Sequence, residues 1–124
     1  MRLDKLVKTT VDALDDIKGR DIVVLDVRKL TSLFDKIVIA SADSARQAKA
    51  MSDNVQKKLK AAGGRVHGVE GESVGEWILV DLGAVVVHIM QPVVRQHYNL
   101  EELWAPPRPA RKRASRATGA AAGE

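Results

Sequence analysis

The sequence predicts one small α/β domain, a mixed sheet flanked by helices. Three observations carry this expectation. Helix-period segments alternate with β-branched runs, two of those runs are too apolar for half-exposed strands, and the last two strands meet at Leu82-Gly83, tight enough for an antiparallel hairpin. A chain of 124 residues, 45% of them apolar, holds a single domain around a single core.

The elements follow in order. Leu3, Leu6, Val7, Val11, Leu14 and Ile17 recur at three and four, which predicts an amphipathic helix stopped by Gly19. Asp21 to Arg28 and Ile37 to Ser41 are the strongly apolar runs, expected as central strands covered on both faces. Ser44 and Gln47 have capping-box spacing, and Ala48, Met51, Val55, Leu59 and Ala62 continue a helix up to Gly63-Gly64. A short strand near Arg65 to Val69 precedes the hairpin of Glu76 to Asp81 and Ala84 to Met90. Pro92 suits a first helical position and opens a short helix through Val93, Val94 and Tyr98, and Leu100, Leu103 and Trp104 close the packed part. Residues 1–104 are therefore the folded domain. Residues 105–124 carry Pro, Arg, Ala and Gly without a large apolar side chain, and are expected to form a disordered basic tail.

The formal net charge of +4 lies in that tail, where Arg108, Arg111, Lys112, Arg113 and Arg116 face Glu124 alone. Residues 1–104 are neutral, which argues against a groove-binding nucleic-acid domain. Weak, salt-sensitive RNA contact is expected of the tail only. There is no Cys, hence no disulfide framework and no Cys-ligated zinc. The charged N-terminus is unlike a secretory signal and no run reaches membrane-spanning length, so a cytoplasmic protein is expected.

Candidate chemistry is sparse. Gly71-Glu72-Ser73-Val74-Gly75 satisfies G-x-S-x-G, yet a nucleophile elbow needs a helix after the serine and here a strand follows. His67, His88 and His97 have no metal-ligand spacing, and phosphate loop, G-x-G-x-x-G and Asp-x-Asp are all missing. No catalytic residue, metal or cofactor is expected.

The hairpin is the informative element. A two-residue turn at Leu82-Gly83 pairs Asp81 with Ala84, Leu79 with Val86 and Trp77 with His88. Alternation then sets Ile78, Val80, Val85, Val87 and Ile89 on one face, a row suited to a core. The other face holds Trp77, Leu79, Asp81, Val86, His88 and Met90. Aromatic, Met and aliphatic groups beside one Asp and one His have the composition of a protein interface, unless a helix simply covers them.

The stretches DIVVLDVRKLTSLFDKIVIASADSARQAKAMSDNV (Asp21 to Val55), GVEGE (Gly68 to Glu72), EWILVDLGAVVVHIM (Glu76 to Met90) and YNLEELW (Tyr98 to Trp104) together resemble the ribosomal silencing factor family, RsfS/Iojap/DUF143. The resemblance covers residues 1–104, and the tail has no counterpart in the family pattern. It implies a nucleotidyltransferase-like fold without the catalytic carboxylates, and a non-enzymatic role. Such a factor binds ribosomal protein L-fourteen on the large subunit, sterically blocks joining of the small subunit and represses translation, especially when nutrients are scarce. Members are thought to form homodimers when free. Carried onto this chain, the partner-binding surface is Trp77, Leu79, Asp81, Leu82, Val86, His88 and Met90, with Trp77 and Met90 as apolar anchors, Asp81 as a polar contact, Arg95 at the rim and Tyr98 flanking. A nucleotidyltransferase-type enzyme and a tail-mediated RNA-binding protein are the alternatives.

Overall fold

The computed structural model describes residues 1–104, so the expected tail lies outside the described residues. The elements are α1 (Leu3–Asp16), β1 (Arg20–Asp26), β2 (Lys36–Ser41), α2 (Ala45–Ala61), β3 (Gly68–Glu70), β4 (Trp77–Asp81), β5 (Val85–Met90), α3 (Pro92–Tyr98) and α4 (Leu100–Trp104). Five strands form one sheet in the order β1-β2-β5-β4-β3. The β2–β5 pair is parallel and the others antiparallel, so the sheet is mixed as expected.

Strand alternation divides the core between the two faces. Val38 and Ala40 of β2, Ile78 and Val80 of β4, and Val85, Val87 and Ile89 of β5 pack with Leu6 and Leu14 of α1 and Met51, Val55 and Leu59 of α2. On the reverse face Ile37, Ile39 and Met90 pack with Val27 and Leu100, and Phe34, Trp77, Val94 and Trp104 lean on that smaller cluster. β5 is buried along its whole length, His88 included, in keeping with a strand that is apolar at all its other positions.

β1 corrects an expectation. The run Asp21 to Arg28 was expected centrally, but β1 is an edge strand that pairs only with β2, and Val24 is 41% exposed. An apolar run shows that residues on both faces find some cover, as Ile22 and Leu25 do in the two clusters. It does not encode rank within the sheet. The parallel β2–β5 pairing takes the inner edge of β2 and leaves β1 outside. A register shift between Arg20 and Val23, together with the Asp26 carboxylate held by Arg28 and Lys36, blunts this edge against further pairing.

The helix ends separate two uses of glycine. α2 closes as foreseen, with Gly63 at φ +88 and the Gly64 N–H donating to the Leu59 carbonyl at 2.8 Å. At the end of α1 the left-handed residue is Lys18, φ 63, and not Gly19. Gly19 is needed for closeness, because a Cβ there would stand 2.8 Å from the Leu14 carbonyl oxygen, a backbone atom that cannot step aside as a side-chain end can. At the start of α2 the Ser44 side chain accepts from the Gln47 N–H at 3.0 Å. The Gln47 amide does not complete the box. It accepts from the Asp43 N–H and donates to the Ile17 and Lys18 carbonyls, tying the two helices together. The expected short helix from Pro92 through Tyr98 is α3; Asn99, left-handed at φ 46, ends it, and the following α4 was not foreseen.

Candidate functional site

The β4–β5 hairpin turns one residue later than expected. The Leu82 N–H donates to the Val85 carbonyl at 2.9 Å, and Gly83, φ +87, is the first of two loop residues, the glycine position of a type II′ turn. Asp81 supports the turn by accepting from the Gly83 N–H at 2.8 Å. Observed partners are Asp81 with Val86, Leu79 with His88 and Trp77 with Met90, a shift of two from the expected register. An even shift leaves every side chain on its own face, so the division of the hairpin into a core face and a mixed face stands.

On the mixed face, the Trp77 indole Nε1–H donates to His88 Nδ1 at 2.9 Å, and the Tyr98 ring lies 4.7 Å from that of Trp77. His88 is 8% exposed, and burial lowers its pKa from 6.5 to about 4. It is therefore neutral near pH 7, with Nδ1 as acceptor and the ring proton on Nε2. Leu79 is half-buried and lines two grooves. One, about 480 Å³, is lined by Leu33, Phe34, His67, Asp81, Gly83 and Val86 besides Leu79. The other, about 240 Å³, is lined by Glu70, Gly71 and Trp77.

The structure keeps some of the sequence-derived residues at this surface and withdraws others. Trp77, Leu79 and Asp81 are partly accessible and Tyr98 is 55% exposed. Met90 is fully buried in the reverse-face cluster and cannot serve as an apolar anchor. Leu82 is 4% exposed and belongs to the helix-side core. Arg95 points inward, donating to the Ser41 hydroxyl at 2.8 Å and to Glu101 at 2.9 Å, so it braces α3 and α4 against β2 instead of standing at a rim. Val86 and His88, each 8% exposed, form the floor. Leu33, Phe34 and His67 were not foreseen. They come from two separate connections, and the adjacent apolar pair Leu33-Phe34 in the β1–β2 connection was the local signal.

The segment Gly71 to Gly75 is a loop whose ends meet through the Gly75 N–H and Gly71 carbonyl at 3.0 Å, with β4 directly after it. Among the described residues no three His, Asp or Glu side chains converge as metal ligands. Asp26 and Asp81, on the edge strand β1 and on β4, are separated by β2 and β5 and do not form a carboxylate pair. No helix among the described residues is long and apolar enough to cross a membrane.

The state of His88 gives a pH prediction. Above pH 6.5 it is neutral folded or unfolded and contributes no slope. As pH falls from 6.5 toward about 4, the unfolded chain takes a proton that the folded chain refuses, and stability is lost across that window. The loss should approach ~3 kcal/mol. Urea midpoints at pH 7 and pH 4.5 should show it, and His88→Asn, which keeps an acceptor for Trp77 without titrating, should flatten the limb. An equally steep limb in His88→Asn would place the titration elsewhere.

Comparison with known proteins agrees with this architecture. The family described as ribosomal silencing factor during starvation matches residues 1–122, further than the residues 1–104 over which the resemblance was read, so the segment after Trp104 does have a family counterpart. A Chromobacterium violaceum protein named ribosomal silencing factor RsfS is 50% identical over 110 residues, 89% of this chain and 90% of that one. A Haemophilus influenzae protein of the same name is 46% identical over 100 residues, 81% of this chain and 98% of its own length. A crystal structure of a Chromobacterium violaceum protein superposes with TM-score 0.83 at 50% identity, covering 98% of this chain and 97% of that one.

Proposed function

The chain belongs to the ribosomal silencing factor family, and from that premise we propose that it binds ribosomal protein L-fourteen through the mixed hairpin face and keeps the two ribosomal subunits apart. The action is steric and needs no bond-making chemistry. A domain of this size seated on the joining side of the large subunit in the cytoplasm occupies space the small subunit requires, so translation falls, most of all when nutrients are limiting. The free chain pairs as a homodimer. Silencing is proposed in preference to nucleotidyl transfer because the relatives carry a regulatory name.

The observation that carries this reading is that Leu79 lines two grooves at once, one shared with Asp81 and the other with Trp77, against which Tyr98 packs. A partly accessible aliphatic beside an aromatic pair is the arrangement of an interface centre, where a few side chains supply most of the affinity. Charge supports it too. Residues 66–104 carry Glu70, Glu72, Glu76, Asp81, Glu101 and Glu102 against Arg95, a net acidic segment suited to a basic protein partner.

Leu79→Glu tests the reading. The new carboxylate stays hydrated in the free protein but loses water on binding, so association with large subunits should weaken by at least ~2 kcal/mol, about thirtyfold. Co-sedimentation measures it, and subunit joining should recover in parallel. A folded Leu79→Glu that sediments like the wild type would move the interface elsewhere.

A further inference from the structure

The folded body is neutral as a whole, yet its charges are unevenly divided among its segments. While residues 66–104 are acidic, α2 and its exit carry Arg46, Lys49, Lys57, Lys58, Lys60 and Arg65 against Asp53 alone, and all seven are exposed. Arg46, Lys49, Asp53, Lys57 and Lys60 follow at steps of three and four, which sets them in one stripe down the outer side of the helix. The stripe is about 21 Å long at 1.5 Å per residue. Among the described residues none of the six cations has a carboxylate oxygen within 4.0 Å.

Helix stability does not account for this arrangement. Lys58 and Lys60 suit the C-terminal end of the dipole, but Arg46 and Lys49 lie toward the N-terminal end, where cations are disfavoured, and the first turn holds no acidic residue; Asp53 stands four residues from both Lys49 and Lys57 but is one carboxylate among six cations. Arg46 with Lys49, and Lys57 with Lys60, are like-charged neighbours that repel. The chemistry of the occupant follows from what the stripe lacks. The large apolar side chains of α2, Met51, Val55 and Leu59, are buried in the core, and no aromatic or large aliphatic side chain accompanies the cations. A membrane-lying helix needs an apolar wedge, and a specific protein interface needs buried anchors. A row of cations without either suits a phosphodiester backbone, whose binding is driven by counterion release.

We propose that the outer face of α2 is an RNA-backbone contact surface, on the opposite side of the sheet from the hairpin face, so that both can be engaged at once. It binds phosphates without reading sequence. The inference does not depend on the identity of the partner at the hairpin face.

The test is fluorescence anisotropy with the full chain and a labelled oligouridylate, repeated between about 50 and 200 mM salt. Lys49→Gln/Lys57→Gln/Lys60→Gln removes three contacts. It should weaken binding at least tenfold at the lowest salt and make the slope of log K against log salt shallower by about 2, at roughly 0.7 per contact on a single strand. Arg111→Gln/Lys112→Gln/Arg113→Gln removes the same charge from the tail and should lose less. Thermal melts matching the wild type show that the loss is not unfolding. The proposal is overturned if the wild type does not bind the RNA, or if the α2 variant keeps wild-type affinity and slope. It also fails if the tail variant loses as much or more, or if phosphatidylserine vesicles or polyglutamate bind the α2 face more tightly than RNA does.

Discussion

Ile78→Glu should leave no cooperatively folded protein at 25 °C, while Leu79→Glu, one residue further, should melt close to the wild type. Ile78 is fully buried at the centre of the helix-side core, opposite Ile89 on β5. A carboxylate there would have no partner and would also forfeit the aliphatic packing. The combined loss is at least ~4 kcal/mol, against a total stability of about 5–15 kcal/mol for a domain. Leu79 points to the other face and borders open grooves, where a carboxylate keeps its water. Far-UV circular dichroism and thermal melts of the two variants are sufficient. A reversed order of stability would mean that the hairpin faces are exchanged.

The second large effect is expected at Gly71. A Cβ at this position would stand 2.1 Å from the Trp77 carbonyl oxygen, and the residue sits at φ +87. Ala would therefore suffer two penalties, the left-handed backbone and a clash with the first residue of β4. Gly63 separates them, for its φ is almost the same, +88, and nothing lies within 4 Å of its would-be Cβ. Gly63→Ala should cost about 1 kcal/mol from conformation alone, whereas Gly71→Ala should cost roughly 3 kcal/mol or more, because the β4 backbone must move. Urea denaturation of the pair isolates the steric part. Equal costs would mean that the loop shifts freely and that Trp77 is not held by it.

Gly71 also shows how a sequence motif can be real and misleading. Both outer glycines of the G-x-S-x-G string have positive φ, as a sharp turn requires. What they permit is close passage of the loop against β4 at Gly71 and against Ala45 of α2 at Gly75, with no helix behind the serine to build an oxyanion site.

The sequence by itself determined the properties carried by short periods. Strand alternation has period two, so the two faces of the hairpin were legible from Trp77 to Met90, and they survived a register error because that error was even. Helix period located α1 and α2, and Ser44 and Gly63 marked the ends of α2. The motif strings carried the family. The tertiary structure alone decided which of those residues see solvent. Met90 and Arg95 are taken out of the surface by α3 and α4 folding back over the sheet, Leu82 by the helix-side core, and β1 is sent to the edge by a parallel pairing between strands more than forty residues apart in sequence. The same holds for charge. A count over residues 1–104 gives neutrality, and only the fold sets the basic stripe of α2 on the side of the sheet away from the mixed hairpin face. The physical reason is range, since periodicity and capping act over a few residues, whereas burial, strand order and the field at a surface are set by segments that meet only when the chain is folded.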